Sequence, residues 1–172
     1  MGHAIAAFIG HYAALHTAIR SLPHVHLIAL AQDYGLLPVS EAFYDALAAQ
    51  APSPQPDKYP VFVYLSASLI TLGEELSHHT PVAYVETDYF GGVGTQAAIL
   101  WQDGDVYGPF STETRYERNE LIVTAAEQRA INRVLQRLGV RRETAKDEFE
   151  ALGLRRYRST EDWLEAAMRE EH

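Results

Sequence analysis

The stretch from Val82 to Phe110 constrains the fold of this chain most strongly, and it reads VAYVETDYFGGVGTQAAILWQDGDVYGPF. It is rich in β-branched and aromatic residues, which favour strands. A glycine-rich turn follows Phe90, and an Asp-Gly turn follows Gln102. Short turns of this chemistry connect neighbouring antiparallel strands. The stretch therefore predicts three strands in an antiparallel meander.

The glycine cluster Gly91–Gly94 permits two further interpretations besides a hairpin turn. Glycine loops that bind phosphate open onto the N-terminus of a helix, where free N–H groups meet the anion. The residues after this cluster read as a strand, and no lysine follows them. A strongly twisted hairpin turn is therefore favoured over a nucleotide site, with contact to a partner protein as the remaining alternative.

The N-terminal part of the chain predicts a strand, a helix and a second strand. Residues 3–10 are continuously apolar and short, residues 11–22 have apolar side chains at helical spacing before Pro23, and residues 25–32 are apolar again. Strand, helix and strand in this order are typical of a parallel βαβ unit. Only Gly10 stands at the first turn, so we expect no dinucleotide site there.

Further helices are predicted by apolar periodicity and capping residues. We expect helices over 41–49 after the N-cap Ser40, over 61–77, over 121–138 before Gly139, over 144–152, and after the cap Thr160. Four prolines make residues 51–60 an exposed connection, and residues 111–120 read as a charged loop. We therefore predict a single α+β domain over residues 1–172. Its mixed sheet has a C-terminal antiparallel meander packed against helices, with 51–60 as an internal loop and a capped helix within 156–172.

Composition excludes several classes of function. The chain has no cysteine, which rules out disulfides, thiol catalysis and cysteine-ligated metals. We expect neither a cofactor nor a metal. No apolar run is long enough for a membrane-spanning helix, and a cytoplasmic location is expected. The net charge of −9 disfavours nucleic-acid binding, which requires a basic surface.

The acidic side chains are distributed unevenly. No lysine or arginine lies between Lys58 and Arg115, whereas Glu and Asp occur there at positions 74, 75, 86, 88, 103 and 105. A solvated acidic surface is the simpler interpretation. The alternative is a surface that attracts a basic protein partner.

The candidate site lies on this acidic stretch. Alternation along a strand places Tyr84, Glu86 and Asp88 on one face, and an open face would combine them with Trp101 of the next strand. Tyrosine and tryptophan are favoured at the centres of protein interfaces. The residues expected to bind a partner are Tyr84, Glu86, Asp88, Phe90, Gly92, Gln96 and Trp101. No catalytic residue is predicted.

The run from Tyr84 to Gln96, YVETDYFGGVGTQ, resembles a motif of uncharacterised bacterial proteins of similar size. Segments at 131–133, 138–140 and 147–154 are similar to theirs in order and spacing. This resemblance implies no established activity. In its size, acidity and hairpin the chain also resembles the immunity proteins of bacterial polymorphic toxin systems.

Three functional hypotheses follow from the sequence. The leading one is a non-enzymatic protein that binds a basic partner through the acidic and aromatic face, as an immunity protein masks a toxin. The second is a small enzyme or ligand-binding protein that uses Glu86 and Asp88 beside the loop Gly91–Gly94. The third is a structural subunit whose exposed hairpin edge pairs with a second copy. Whether Glu86 and Asp88 line a pocket or an open face stays undecided, as do the strand register and the oligomeric state.

Overall fold

The structure, a computed structural model, describes residues 2–50 and 58–171. In these residues it shows one seven-stranded sheet between two layers of helices. The strands are β1 (Ala6–His11), β2 (Ile28–Ala29), β3 (Tyr34–Pro38), β4 (Val82–Phe90), β5 (Val93–Gln102), β6 (Asp105–Glu117) and β7 (Glu120–Ile122). The helices are α1 (Tyr12–Ala18), α2 (Glu41–Gln50), α3 (Ala67–Leu76), α4 (Ala130–Leu138), α5 (Glu148–Ala151) and α6 (Thr160–Glu170). The predicted α+β class is confirmed.

The predicted meander forms β4, β5 and β6 in the order expected. Two-residue turns join these strands, with Gly91 and Gly92 at φ 61° and 83° in the first and Asp103 and Gly104 at φ 49° and 83° in the second. Positive φ at both central residues gives the hairpin turn whose twist matches that of the strands. The glycine cluster begins with a turn and continues into a strand. This agrees with the sequence, in which neither a helix nor a lysine of a phosphate-binding loop follows the glycines.

The predicted parallel βαβ unit is wrong. The sheet order is β2-β3-β1-β4-β5-β6-β7, and every neighbouring pair of these strands is antiparallel. The crossover through α1 does make β2 run in the direction of β1. However, Gln32 and Asp33 adopt left-handed φ values of 59° and 64°, and the chain reverses there. The next strand, β3, is thereby placed between β1 and β2, and the expected mixed sheet becomes antiparallel in the described residues.

Several predicted boundaries are also wrong. The charged residues 111–117 belong to β6, because they pair with β5 and then with β7. The residues after Glu120 form β7 and an extended segment, so α4 begins only at Ala130, although Gly139 ends it at φ 110° as predicted. The N-cap of α6 is Ser159, whose hydroxyl accepts the Asp162 N–H. The expected loop at 51–60 lies mostly outside the described residues.

The sheet has an apolar core on each face. One core joins β1, β4 and β5 to α1, α2 and α3, and the other joins the opposite face of the sheet to α4, α5 and α6. Close packing is visible where α3 crosses β5. A Cβ at Gly73 would lie 2.5 Å from the Trp101 ring, so glycine lets the helix rest on the indole. Both faces of the central strands are therefore covered.

Candidate functional site

The structure places the predicted partner-binding residues in two different environments. Tyr84 and Trp101 are fully buried in the core beneath α3, and Glu86 and Gln96 are also buried. Asp88, Phe90 and Gly92 are exposed toward the end of the first hairpin. The prediction of one open acidic and aromatic face is therefore wrong, since α2, α3 and residues of the described segment 58–66 cover that face at Tyr84 and Trp101.

Gln96 makes structural contacts on the face of the sheet that packs against α4. Its side-chain carbonyl accepts the Ile131 N–H at 2.9 Å, and its amide donates to the Tyr89 hydroxyl at 3.0 Å. The first of these bonds pairs one of the free N–H groups at the start of α4. Gln96 thus connects the meander to a helix.

Glu86 is the most informative residue of the predicted set. Its side chain is only 6% exposed, and its carboxylate accepts three hydrogen bonds. Oε1 accepts the Val63 N–H at 2.8 Å, and Oε2 accepts the Tyr64 N–H at 3.1 Å and the Tyr84 O–H at 2.7 Å. A buried carboxylate is stable when such donors replace water. Glu86 therefore fixes a segment that lies more than twenty residues earlier in the chain.

Tyr84 is held in its protonated form by the same arrangement. Burial raises the pKa of Tyr84 well above the usual 10.0, and the Glu86 carboxylate raises it further through its charge and its hydrogen bond. The nearby phenols of Tyr44 and Tyr64 act in the same direction. The Tyr84 hydroxyl is consequently a permanent donor to Glu86.

The segment fixed by Glu86 contains both buried and exposed side chains. Phe62 and Leu65 are buried, and the Phe62 ring contacts that of Tyr84 edge-on at 5.4 Å between centroids. Val63 and Tyr64 are 74% and 58% exposed, and Val61 is also exposed. We call residues Val61–Tyr64 the wall segment. The predicted helix over 61–77 begins only at Ala67, because the Ser66 hydroxyl caps it and the preceding N–H groups bind Glu86.

A cavity of about 580 Å³ lies between the wall segment, α2 and the end of the sheet. Five carboxylates line it: Glu41 and Asp45 of α2, Glu86 and Asp88 of β4, and Glu161 of α6. We call this cavity the acidic cleft. Tyr44 and the exposed side chains of the wall segment supply its apolar surface. Glu86 and Asp88 therefore line a pocket, which decides the question left open by the sequence.

The described residues of the acidic cleft supply no positive charge. No lysine, arginine or histidine is among its described lining residues, and no described salt bridge engages its carboxylates. Nor does any group of three His, Asp or Glu side chains in the described residues have a geometry suited to a metal ion. The charge of the cleft is therefore complementary to that of a cation.

Two cleft residues, Ser40 and Thr160, were predicted from the sequence only as helix caps and not as site residues. Ser40 was identified as the N-cap of α2, and its hydroxyl accepts the Phe43 N–H at 3.0 Å. The cap fixes the start of the helix that carries Glu41, Tyr44 and Asp45 into the cleft. Thr160 was predicted as a cap, but its hydroxyl accepts the Ala6 N–H at 3.0 Å and holds the start of α6 beside β1.

His3 joins the N-terminal residues to β4 and to the segment between α5 and α6. Its Nδ1 lies 2.7 Å from the Thr87 hydroxyl, and its ring meets Phe149 edge-on at 5.5 Å. Burial is the main cause that lowers the pKa of His3, and the charges of Arg155 and Arg158 lower it further. A hydrogen bond with the Leu154 carbonyl opposes them. His3 is therefore held mainly as the neutral imidazole.

Comparison with known proteins gives no match: no protein-family model, no curated protein and no solved structure is significantly similar to this chain. The resemblance to immunity proteins therefore stays an expectation. Among the helices of residues 2–50 and 58–171, none has the length and apolar character needed to cross a bilayer.

Proposed function

We propose that this chain is a non-enzymatic binding protein that engages a basic protein partner through the acidic cleft. The observation that carries this proposal is one cavity whose described lining combines five carboxylates with exposed apolar side chains and contains no lysine or arginine. A lysine or arginine side chain of the partner fits this combination, because its charged end meets carboxylates while its aliphatic stem packs on Val63 and Tyr64.

The negative charge of the cleft favours rapid and selective association with a basic partner. Carboxylates that converge without counter-charges repel one another, and a bound cation relieves that repulsion. Complementary potentials raise the rate of association and disfavour acidic partners. An immunity protein that masks the basic surface of a toxin is one form that such a function takes.

The chemistry of Glu86 supports binding over catalysis. Its carboxylate is engaged by three donors, and the phenol beside it is held protonated. Three of the roughly four acceptor sites of this carboxylate are thus used within the protein, which disfavours a role for Glu86 as a general base. The function of Glu86 in this proposal is to position the wall segment.

Charge reversal with a matched control tests the proposal. The variant Asp45→Lys/Asp88→Lys changes the cleft, and Asp103→Lys/Asp105→Lys changes the exposed turn between β5 and β6. Each aspartate-to-lysine change adds two charges, so both variants move from −9 to −9 + 4 = −5. The probe is a short peptide rich in arginine and lysine, and the measurement is isothermal titration calorimetry at low salt.

We expect the cleft variant to lose at least about tenfold in affinity, which corresponds to about 1.4 kcal/mol. The turn variant should stay within about twofold of the natural sequence, since its charges are farther from the bound peptide. Equal losses in both variants would mean that the peptide senses only net charge, and the proposal would fail.

A small cationic ligand is a second candidate, favoured by the volume of the cleft. The value of about 580 Å³ falls within the roughly 300–1,000 Å³ typical of small-molecule sites. Glu86 and Asp88 line the cleft as the second hypothesis requires, although Gly91–Gly94 do not. A rise in melting temperature with a polyamine such as spermidine, absent in the cleft variant and present in the turn variant, would support this candidate. Absence of any rise would count against it.

A further inference from the structure

A two-stranded ribbon extends past the end of β5 at one edge of the sheet. The pairing of β5 with β6 ends at Gly94 and Thr114, and beyond it Arg115 pairs only with Ile122 of β7. The turn of the ribbon is Arg118-Asn119, with φ values of 50° and 66°. We call residues 113–124 the ribbon, which includes Glu113 and Thr114, the last residues of β6 that pair with β5. In the described residues its outer strand, β7, is an edge strand with one side open.

The ribbon exposes an unusual amount of apolar surface for an edge. Tyr116, Leu121 and Val123 are 64%, 46% and 55% exposed, and Ile122 is also exposed. Tyr116 stands opposite Leu121, so both point to one face of the ribbon, and Val123 follows on that face by alternation. Proteins normally protect edges with charges, prolines or cover, so an open apolar edge marks a site of pairing.

We propose that β7 pairs with β7 of a second copy of this chain, antiparallel about a two-fold axis at Ile122. In this register Leu121 stands opposite Val123 of the second copy, and the reverse pair is identical by symmetry. One face then carries a continuous apolar strip that includes both Tyr116 side chains. The other face brings the two Ile122 side chains together.

The main-chain groups fit the same register. Glu117 and Glu120 flank a two-residue turn, so they form a hydrogen-bonded pair, and the next such pair is Arg115 with Ile122. The N–H and C=O groups of Leu121 and Val123 therefore point to the open side. A two-fold axis at Ile122 pairs each Leu121 with a Val123 through two hydrogen bonds and leaves Ile122 as the close, non-hydrogen-bonded pair.

The charges of the ribbon also permit a second copy as the occupant. The ribbon carries three glutamates and two arginines, which gives 2 − 3 = −1 in a chain of −9. Arg115 lies 3.7 Å from Glu113 and 3.4 Å from Glu117, so these charges are largely balanced within each copy. Glu120 stands opposite Thr124 of the second copy, and no like charges face each other directly. The ribbon residues do not line the acidic cleft, so this surface is independent of the proposed function.

A single engineered cysteine tests the proposal, because the chain contains none. In the variant Ile122→Cys, the two thiols lie on opposite strands of a non-hydrogen-bonded pair, with Cα atoms about 4.5 Å apart, within the range that a disulfide spans. Met168→Cys on α6 is the matched control, since its side chain is similarly exposed. We expect mild oxidation to convert Ile122→Cys to a covalent dimer on non-reducing gels and to leave Met168→Cys monomeric.

Sedimentation of the unmodified chain and a charge exchange complete the test. The natural sequence should sediment as a dimer, Leu121→Lys as a monomer, and a mixture of Leu121→Lys with Val123→Glu should recover the dimer, because the new charges face each other. A monomeric natural chain, equal cross-linking of the two cysteine variants, or no recovery in the mixture would overturn the proposal.

Discussion

Replacing Glu86 by alanine should destabilise the protein substantially, because three donors lose one acceptor. The buried Tyr84 hydroxyl left without a partner costs about 1–3 kcal/mol. The Val63 and Tyr64 N–H groups lie beside the cleft, where water can replace the carboxylate, so each costs about 0.5–1.5 kcal/mol. Removing a nearly buried charge offsets part of this sum. We expect a net loss of about 2–4 kcal/mol, a large fraction of the roughly 5–15 kcal/mol of a typical domain.

The assay is urea denaturation monitored by tryptophan fluorescence, with Asp88→Ala as the matched control. Asp88 is a carboxylate on the same face of β4, but it is exposed, so its replacement should lower the free energy of unfolding by less than about 0.5 kcal/mol. Tyr84→Phe removes the donor itself. In the Tyr84→Phe variant, the loss of unfolding free energy caused by Glu86→Ala should be about 1–2 kcal/mol smaller than in the natural sequence.

Two results would contradict this expectation: equal stability of Glu86→Ala and Asp88→Ala, or simply additive effects of Tyr84→Phe and Glu86→Ala. Either result would mean that the hydrogen bonds to Glu86 do not hold the wall segment.

Two further predictions concern packing and pH. Gly73→Ala should lower the free energy of unfolding, measured in urea, by about 1–3 kcal/mol despite the better helix propensity of alanine, because the added methyl group meets the Trp101 ring. The control is Thr71→Ala at an exposed position of the same helix, which should change the free energy of unfolding little. The pKa of His3 is lowered from 6.5 on folding, so the contribution of His3 to stability is full above pH 6.5 and is lost as pH falls through the folded-state pKa. The natural chain should therefore lose more stability than His3→Asn between neutral and mildly acidic pH. The exposed His79→Asn is the control, and equal pH dependence in all three chains would contradict the assignment to His3.

Local chemistry explains which elements the sequence could predict. The meander was predictable because each turn is encoded by its own residues, as in Asp103-Gly104. Ser40 and Gly139 likewise marked helix ends through contacts within one turn. These features depend on neighbours only a few residues away, so a pattern in the sequence is sufficient to identify them.

The sequence-based predictions failed where contacts between residues far apart in the chain determine the structure. The alternation of Tyr84, Glu86 and Asp88 predicted one face correctly, yet it could not show that α3 covers Tyr84. The donors to Glu86 come from residues 63 and 64, which no local pattern connects to β4. Periodicity also favoured a helix from residue 61, but the N–H groups that would begin it are used by the carboxylate.

The extent of β6 was missed for a related reason. Its last residues are charged and resemble a loop, but their pairing with β5 and β7 satisfies the main chain. The Arg118-Asn119 turn was the available signal, because asparagine tolerates positive φ better than most residues.

The most direct test of the central claim is to locate a bound basic peptide on the folded protein. Two-dimensional NMR of the labelled chain, titrated with an arginine- and lysine-rich peptide, reports each amide separately. We expect the largest shifts at residues 41–45, 61–64 and 86–88, and only small shifts at Asp103 and Asp105. Shifts spread evenly over the acidic surface, or largest outside the cleft, would contradict the central claim.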